Sequence, residues 1–337
     1  MAESGKSNSF RPASFTVRDF YEAGRDKLSL EILAGSATMD RVIEEPILNR
    51  PGLAMTGFLD NFESRRIQVI GNAEAAYLAS LDLKTRLERV RAVLALRPAL
   101  MIFTDGNKPA EEGPHIADEF GVTVMRTTMP TRPFTHQSLF ILDRLSAPRT
   151  KIYGTMMEVC GLGVLFEGAP GLGKSETALG LMRRGYALIA DDLTCIRKDI
   201  SRDTLFGSAS KTTGGFMEIR GIGIIDVPSI FGVDALRGEK RLDLVITFKP
   251  LDEVRHVVDR IGQRQPPKEI LGVKVPNILL PVSEGRDLVN LVETAAQQHK
   301  LILAGHDPAT QLSQRLRSIA AGNHLTTYAK EGETTNG

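Results

Sequence analysis

The 337-residue chain carries 42 Lys+Arg against 41 Asp+Glu, a net charge of +1, and 42% of its residues are hydrophobic. That length points to two domains, and a near-neutral balance without a basic block argues against nucleic acid as a partner. Two cysteines, Cys160 and Cys195, exclude a disulfide framework and a cysteine-rich metal site and suit a reducing compartment. The polar start Met1–Ser9 lacks the apolar core of a signal peptide, and no apolar run approaches the ~20 residues of a membrane helix, so a cytoplasmic protein without a membrane partner is expected.

Residues 1–14 and 326–337 are small and polar and are expected to be disordered. Between residues 15 and 128, short elements alternate. Lys27–Leu33 and Arg66–Ile70 read as strands, and Glu74–Leu83 and Lys84–Leu96 as helices, the second ended by Arg97-Pro98. Ala99–Phe103 reads as a buried strand followed by a turn at Asp105-Gly106. This is an α/β domain without a catalytic constellation. Asn107-Lys108-Pro109 resembles part of a guanine-reading loop but lacks its aspartate, and it reads as a plain turn. Residues 129–150 hold Pro130, Pro133 and Pro148 around a helical pattern, His136–Leu145, which suits a linker with a bridging helix. The second domain is then 151–325.

The richest stretch follows the apolar run Gly161–Phe166. It reads Gly168-Ala169-Pro170-Gly171-Leu172-Gly173-Lys174-Ser175 and leads into Glu176–Met182. Strand, glycine loop and helix start occur in the order a phosphate-binding P-loop needs. Backbone N–H groups can wrap a phosphate only where Cβ atoms leave room, which Gly168, Gly171 and Gly173 provide. Lys174 is expected to reach the β- and γ-phosphates, and the Ser175 hydroxyl to ligate Mg²⁺ at the positive end of the helix.

Arg183-Arg184-Gly185 ends that helix, and Tyr186–Ala190 forms a strand closed by Asp191-Asp192, where such a fold places its metal and base groups. Asp226 also ends an apolar run and competes for the metal-side role; Asp191-Asp192, one helix after the loop, is favoured, and Asp226 reads as a strand terminus. Glu218 and Arg220, two apart in an extended stretch, point to one side. They read either as a Mg²⁺ ligand with a phosphate-neutralising cation or as a surface ion pair. Leu242–Phe248 is a strand, and Asp287–Leu303 a packing helix with Leu288, Leu291, Val292 and Ala295 on one face. The histidines show no metal-ligand spacing, and Cys160 reads as a small core residue of a strand.

These residues resemble the HPr kinase/phosphorylase family. The likeness rests on Gly168–Leu179, Leu188–Asp192, the block Glu218-Ile219-Arg220-Gly221 running on through Asp226 to Val227, and Pro281–Leu288. Arg50–Leu53 and Arg66–Glu74 are similar to the family's first domain. The resemblance implies two α/β domains, the second a P-loop nucleotide-binding domain similar to phosphoenolpyruvate carboxykinase. It further implies ATP- or pyrophosphate-dependent phosphorylation of a regulatory serine on the phosphocarrier protein HPr, and its phosphorolysis to pyrophosphate, in the regulation of carbon metabolism. Mg²⁺ and a homohexamer come with it.

By the same resemblance, Lys174 binds phosphate, Ser175 and Glu218 hold the metal, and Asp192 exchanges the serine proton. Arg260 stands at the catalytic arginine, and Pro281-Val282-Ser283-Glu284-Gly285-Arg286 at a loop tied to the phosphorylase reaction. Two positions depart from the family: Ala169-Pro170 in the loop, and Tyr153 at the site of the active histidine. The residues also admit a P-loop kinase for a small molecule, or an ATP-binding sensor with reduced transfer activity.

Overall fold

A computed structural model describes residues 14–210, 212–254 and 265–320; the two termini expected to be disordered lie outside them, save Ser14. The chain divides into two compact units, Met1–Pro148 with Asp199–Arg202, and Arg149–Lys198 with Asp203–Gly337.

The first unit is built on a five-stranded sheet in the order Glu31–Ala34, Val124–Arg126, Leu100–Phe103, Ile67–Ile70, Leu48–Asn49. The last four are parallel and the first is antiparallel to its neighbour. A parallel sheet needs both faces covered, and strand alternation supplies two cores. Leu100 and Ile102 turn toward Phe20, Phe134, Ile141 and Leu142, while Met101 and Phe103 turn toward Val93, Leu94, Ile116 and Ala117.

Here the domain boundary of the sequence reading is corrected. The proline-flanked stretch forms a helix, Thr131–Ser146, whose Phe134, Ile141 and Leu142 are core residues of the first unit rather than parts of a linker. Pro130 and Pro133 are compatible with that helix because both stand at its start, where no intrahelical N–H bond is lost. Other boundaries move by a few residues, as in Asn72–Ser80 and Leu83–Ala95. The first strand shortens to Glu31–Ala34.

The second unit holds an eight-stranded sheet. Its order is Ala187–Ala190, Thr155–Val159, Leu162–Glu167, Glu239–Pro250, Thr204–Ser208, Leu193–Asp199, Arg149–Tyr153, with Asn277–Val282 also pairing Glu239–Pro250. Leu162–Glu167 lies inside the sheet, parallel to Glu239–Pro250 and antiparallel to Thr155–Val159. Helices Lys174–Arg183 and Leu288–Leu303 cover one face, packing Ala178, Leu181, Val292 and Ala296 onto Val164, Phe166, Leu244 and Phe248. The Phe166 and Phe248 rings stack with centroids 5.8 Å apart beneath the glycine loop. That packing makes the end of the strand Leu162–Glu167 a rigid mount.

Candidate phosphoryl-transfer site

The loop after Glu167 takes the conformation its glycines allow. Gly168, Gly171 and Gly173 have φ of 145°, 84° and 83°, a region that L side chains avoid. A Cβ at Gly168 would lie 2.6 Å from the Phe248 carbonyl oxygen, so here glycine is required by space as well as by torsion. Gly173 caps the helix Lys174–Arg183, so Lys174 and Ser175 occupy its first turn, at the positive end of the helix dipole. Lys174 Nζ donates to the carbonyl oxygens of Gly168 and Ala169 at 3.0 and 3.1 Å, which holds the ammonium over the loop.

The carboxylates arrive from the sheet's edge strand, two places from the strand that leads into the loop. Asp191 follows Ala187–Ala190, and its carboxylate accepts from the Thr155 hydroxyl at 2.7 Å and the Ser175 hydroxyl at 3.2 Å. Burial pushes the Asp191 carboxyl above the usual aspartate value and the Asp192 charge adds to this, while Thr155, Ser175 and the Glu218 N–H pull it down. Asp192 adopts φ of 58° in the tight turn that follows, which leaves its side chain exposed. Aspartate tolerates that left-handed conformation better than most residues. Its carbonyl accepts from Gly154 N–H at 2.9 Å, which fixes the turn.

Glu218 and Arg220 come from a separate two-stranded hairpin, Phe216–Ile219 with Gly223–Asp226. The sequence expectation of one extended stretch is corrected: Arg220 lies in the connecting turn, past the strand that carries Glu218. Both still reach the site. Pro170, Gly171, Gly173, Lys174, Ser175, Glu176, Asp192, Glu218 and Arg220 line one cleft of about 220 Å³. Arg220 Nη1 lies 3.4 Å from where a Cβ on Gly171 would sit, so the guanidinium borders the loop. The side chains of Asp192, Glu218 and Arg220 have no hydrogen bond or ion pair among the described residues, against the surface-pair reading of Glu218 and Arg220.

Other expected residues fall elsewhere. Tyr153 ends the strand Arg149–Tyr153, opposite Leu193 and next to the Gly154–Asp192 backbone bond, but it is 83% exposed and does not line the cleft. Asp226 ends its strand and accepts a hydrogen bond from Ser229, as a strand terminus should. Pro281 and Val282 close the strand Asn277–Val282, and Ser283–Arg286 form an exposed turn outside the cleft. That turn leads to Leu288, whose Cδ1 lies 3.3 Å from a Cβ placed on Gly173, so its helix abuts the loop. Arg260 lies outside the described residues. Cys160 sits in the turn between two strands with φ of 53° rather than in a strand.

The sequence reading missed Thr155 and the direct Asp191–Ser175 contact. Thr155 is a buried hydroxyl directly before the buried Met156 and Met157, and that placement was its available signal. Mg²⁺ fits the oxygen donors present, since it binds through one or two carboxylates together with phosphate and water. Ser175 and Glu218 line the cleft, and Asp191 accepts from the Ser175 hydroxyl and the Glu218 N–H, so a hydroxyl and two carboxylates come together there.

A glycine loop at a helix start, an ammonium above it, hard oxygen donors and an exposed carboxylate on an α/β fold are the parts that phosphate chemistry uses. The comparisons place the chain more narrowly. Residues 15–142 match the family described as HPr Serine kinase N terminus, and 144–316 the HPr Serine kinase C-terminal domain. The chain belongs to the HPr serine kinase family. It is 38% identical to the HPr kinase/phosphorylase of Leptospira biflexa over 303 residues, 90% of this chain and 94% of that one. With that of Caldicellulosiruptor bescii it shares 38% identity over 300 residues, 88% and 96% of the two chains. A solved HPr(Ser) kinase/phosphatase from Coxiella burnetii is 32% identical over 48% of this chain and 98% of its own, with a TM-score of 0.44.

Proposed function

We propose that the protein phosphorylates a regulatory serine of HPr from ATP or pyrophosphate, and removes that phosphate by phosphorolysis to give pyrophosphate. The observation that carries this reading is the convergence of Lys174, Ser175, Asp192, Glu218 and Arg220 on one cleft around the glycine loop. In the forward direction the serine oxygen attacks the terminal phosphorus, its bond to the leaving phosphate breaks, and Asp192 accepts the serine proton. A carboxylate in this role contributes typically ~10²–10⁴-fold. In reverse, an oxygen of inorganic phosphate attacks the phosphoserine phosphorus, the bond from phosphorus to the serine oxygen breaks to release pyrophosphate, and Asp192 returns the proton to that serine oxygen.

Lys174 and Arg220 neutralise charge on the transferred group and donor, which matters most in phosphoryl transfer. Ser175, Asp191 and Glu218 are the residues that would hold Mg²⁺, which when bound screens the phosphate charge. Arg260 and the turn Pro281–Arg286 keep the roles the family resemblance gives them, as part of this proposal. So do the P-loop domain's likeness to phosphoenolpyruvate carboxykinase, the role in carbon metabolism and the cytoplasmic location. No helix among the described residues is long and apolar enough to cross a membrane.

Homohexamer formation belongs to the same reading. Leu312, Leu316 and Ile319 form an exposed stripe on the helix Pro308–Ala320 that a second copy would bury, and light scattering measures the mass. The test of function is incubation with labelled ATP and purified HPr. Label on the HPr serine is the expected result; label on a small metabolite, or nucleotide binding without transfer, overturns the proposal.

A further inference from the structure

The hairpin that delivers Glu218 and Arg220 to the cleft also carries an apolar surface that phosphate chemistry does not require. Phe216, Ile222 and Ile224 are 50%, 73% and 76% exposed, and Ile230 and Val233 just beyond are exposed too. The other face of the hairpin is conventional, with Met217 and Ile219 buried in the core. Strand alternation puts Phe216 and Glu218 on one face, and the register pairs Glu218 with Ile224 and Phe216 with Asp226. Ile224 is therefore the cross-strand neighbour of a cleft residue, and Ile222 stands two residues from another. Gly221 and Gly223 flank Ile222 with φ of 84° and 101°, and no heavy atom lies within 4 Å of the place a Cβ would take at either. These glycines relieve no crowding; they shape a turn that holds Ile222 outward.

A serine side chain is short. To bring its oxygen to Asp192, a folded protein substrate must lower its own surface onto the rim of the cleft, and that rim is buried while transfer lasts. We infer that Phe216, Ile222 and Ile224 form the docking surface for the protein substrate and seat apolar side chains of HPr beside its accepting serine. The inference rests on the function proposed above. The occupant follows from continuity: the apolar face begins at Glu218 and Arg220, where the reacting serine has to arrive, and a small-molecule acceptor would leave it wet. Each exposed isoleucine then contributes chiefly to the affinity for HPr and not to the chemical step.

The experiment replaces both isoleucines, Ile222→Ser with Ile224→Ser, in the full chain and measures steady-state transfer to HPr with ATP and, separately, with pyrophosphate as donor. Loss of two buried apolar side chains is expected to raise KM for HPr by about tenfold or more. The values of kcat at saturating HPr, KM for ATP and the mass in solution stay as in the wild type. Ile224→Val, which keeps a β-branched apolar side chain, restores most of the affinity. Ile222→Ser alone, in the turn, gives the same direction of change without altering a strand.

An unchanged KM for HPr with an active wild type overturns the docking surface and leaves the function standing. A raised KM for ATP with normal pyrophosphate kinetics and normal KM for HPr assigns the face to the nucleotide base and overturns it as well. So does a fall in mass with unaltered HPr affinity, which would mark a contact between copies of the chain. A wild type that cannot phosphorylate HPr overturns the function and this inference together.

Discussion

Each unit gathers polar side chains at the ends of its strands, and the two clusters differ in what their charges touch. In the first unit the Arg50 guanidinium pairs with Glu74, which also accepts from Gly71 N–H at 3.1 Å. Asp105 accepts from the hydroxyls of Thr104 and Thr131 at 3.0 and 2.5 Å. A Cβ on Gly71 would lie 2.6 Å from the Thr131 hydroxyl oxygen, so the cluster closes on itself. In the second unit Lys174 bonds only loop carbonyls, and Asp192, Glu218 and Arg220 face the cleft without partners among the described residues. Strand-end geometry alone does not make a site. Charges whose partners must come from a ligand do, and the first unit has spent its own on holding the loops together.

The contrast is broken most severely by removing a cleft charge. Lys174→Ala is expected to lower both directions by ~10³–10⁵-fold, because ATP, pyrophosphate and inorganic phosphate share the contact. The unfolding midpoint should not move, since among the described residues the ammonium bonds only two loop carbonyls. Near wild-type transfer from either donor would refute the assignment.

Next in size, Asp192→Asn is expected to keep nucleotide binding and lose ~10²–10⁴-fold in transfer to serine, because the amide cannot accept the proton. Asp191→Asn separates the two carboxylates. With its bonds to Ser175 and Thr155 it should shift the Mg²⁺ concentration needed for half-maximal rate rather than the saturated rate. If Asp191→Asn is instead the variant that binds nucleotide and fails to transfer, the roles are exchanged.

On the other side of the comparison, Glu74→Gln should cost stability and no catalysis. Glu74 is 8% exposed; burial presses its carboxyl upward, but the Arg50 guanidinium and neighbouring backbone N–H groups outweigh that and hold it below the ordinary glutamate value. Replacing the charged acceptor removes about 2 kcal/mol, read as faster hydrogen exchange at the Ile67–Ile70 amides. The sign with pH follows from a folded value below the unfolded one. The stabilisation is full above the unfolded value of 4.5 and disappears as pH falls through the folded one, so wild type and variant should converge at low pH. Convergence at high pH instead would show that the carboxylate is not the stabilising form.

The smallest expected effect is at Tyr153, where the second unit departs from its family resemblance. A phenol stays neutral near pH 7, whereas an imidazole with pKa near ~6.5 is partly cationic. Phosphorolysis brings a second anion to phosphoserine, so Tyr153→His is expected to raise it several-fold relative to phosphorylation, in line with a cation–anion term of about 1 kcal/mol in water. Rates in both directions at several phosphate concentrations give the ratio. An unchanged ratio removes Tyr153 from the reaction, as its 83% exposure outside the cleft would then explain.

Local chemistry carried the loop from Gly168 to Ser175, the carboxylates at Asp191-Asp192 and the packing helix from Leu288, because glycine torsions, a helix start and apolar periodicity are written within a few residues of one another. It failed where a pattern has two uses. Pro130 and Pro133 mark a linker as well as they mark a helix start, and only the burial of Phe134, Ile141 and Leu142 decides between them. Glu218 and Arg220 looked like neighbours on a strand, and the turn through Gly221 separated their backbones before the fold brought both side chains to the cleft. Thr155 carried no local signal beyond a hydroxyl next to two apolar residues, because its partner Asp191 is 36 residues away.

The sequence by itself determined the phosphate loop, its lysine and serine, and the likeness to a family, since each depends on the torsions and chemistry of adjacent residues. Which carboxylate bonds the loop serine, which stands exposed, and that an apolar face borders the cleft were decided only by the tertiary structure. Those facts depend on strand register and on a separate hairpin reaching the loop, and the pairing of distant segments is a property of the packed chain rather than of any stretch of it.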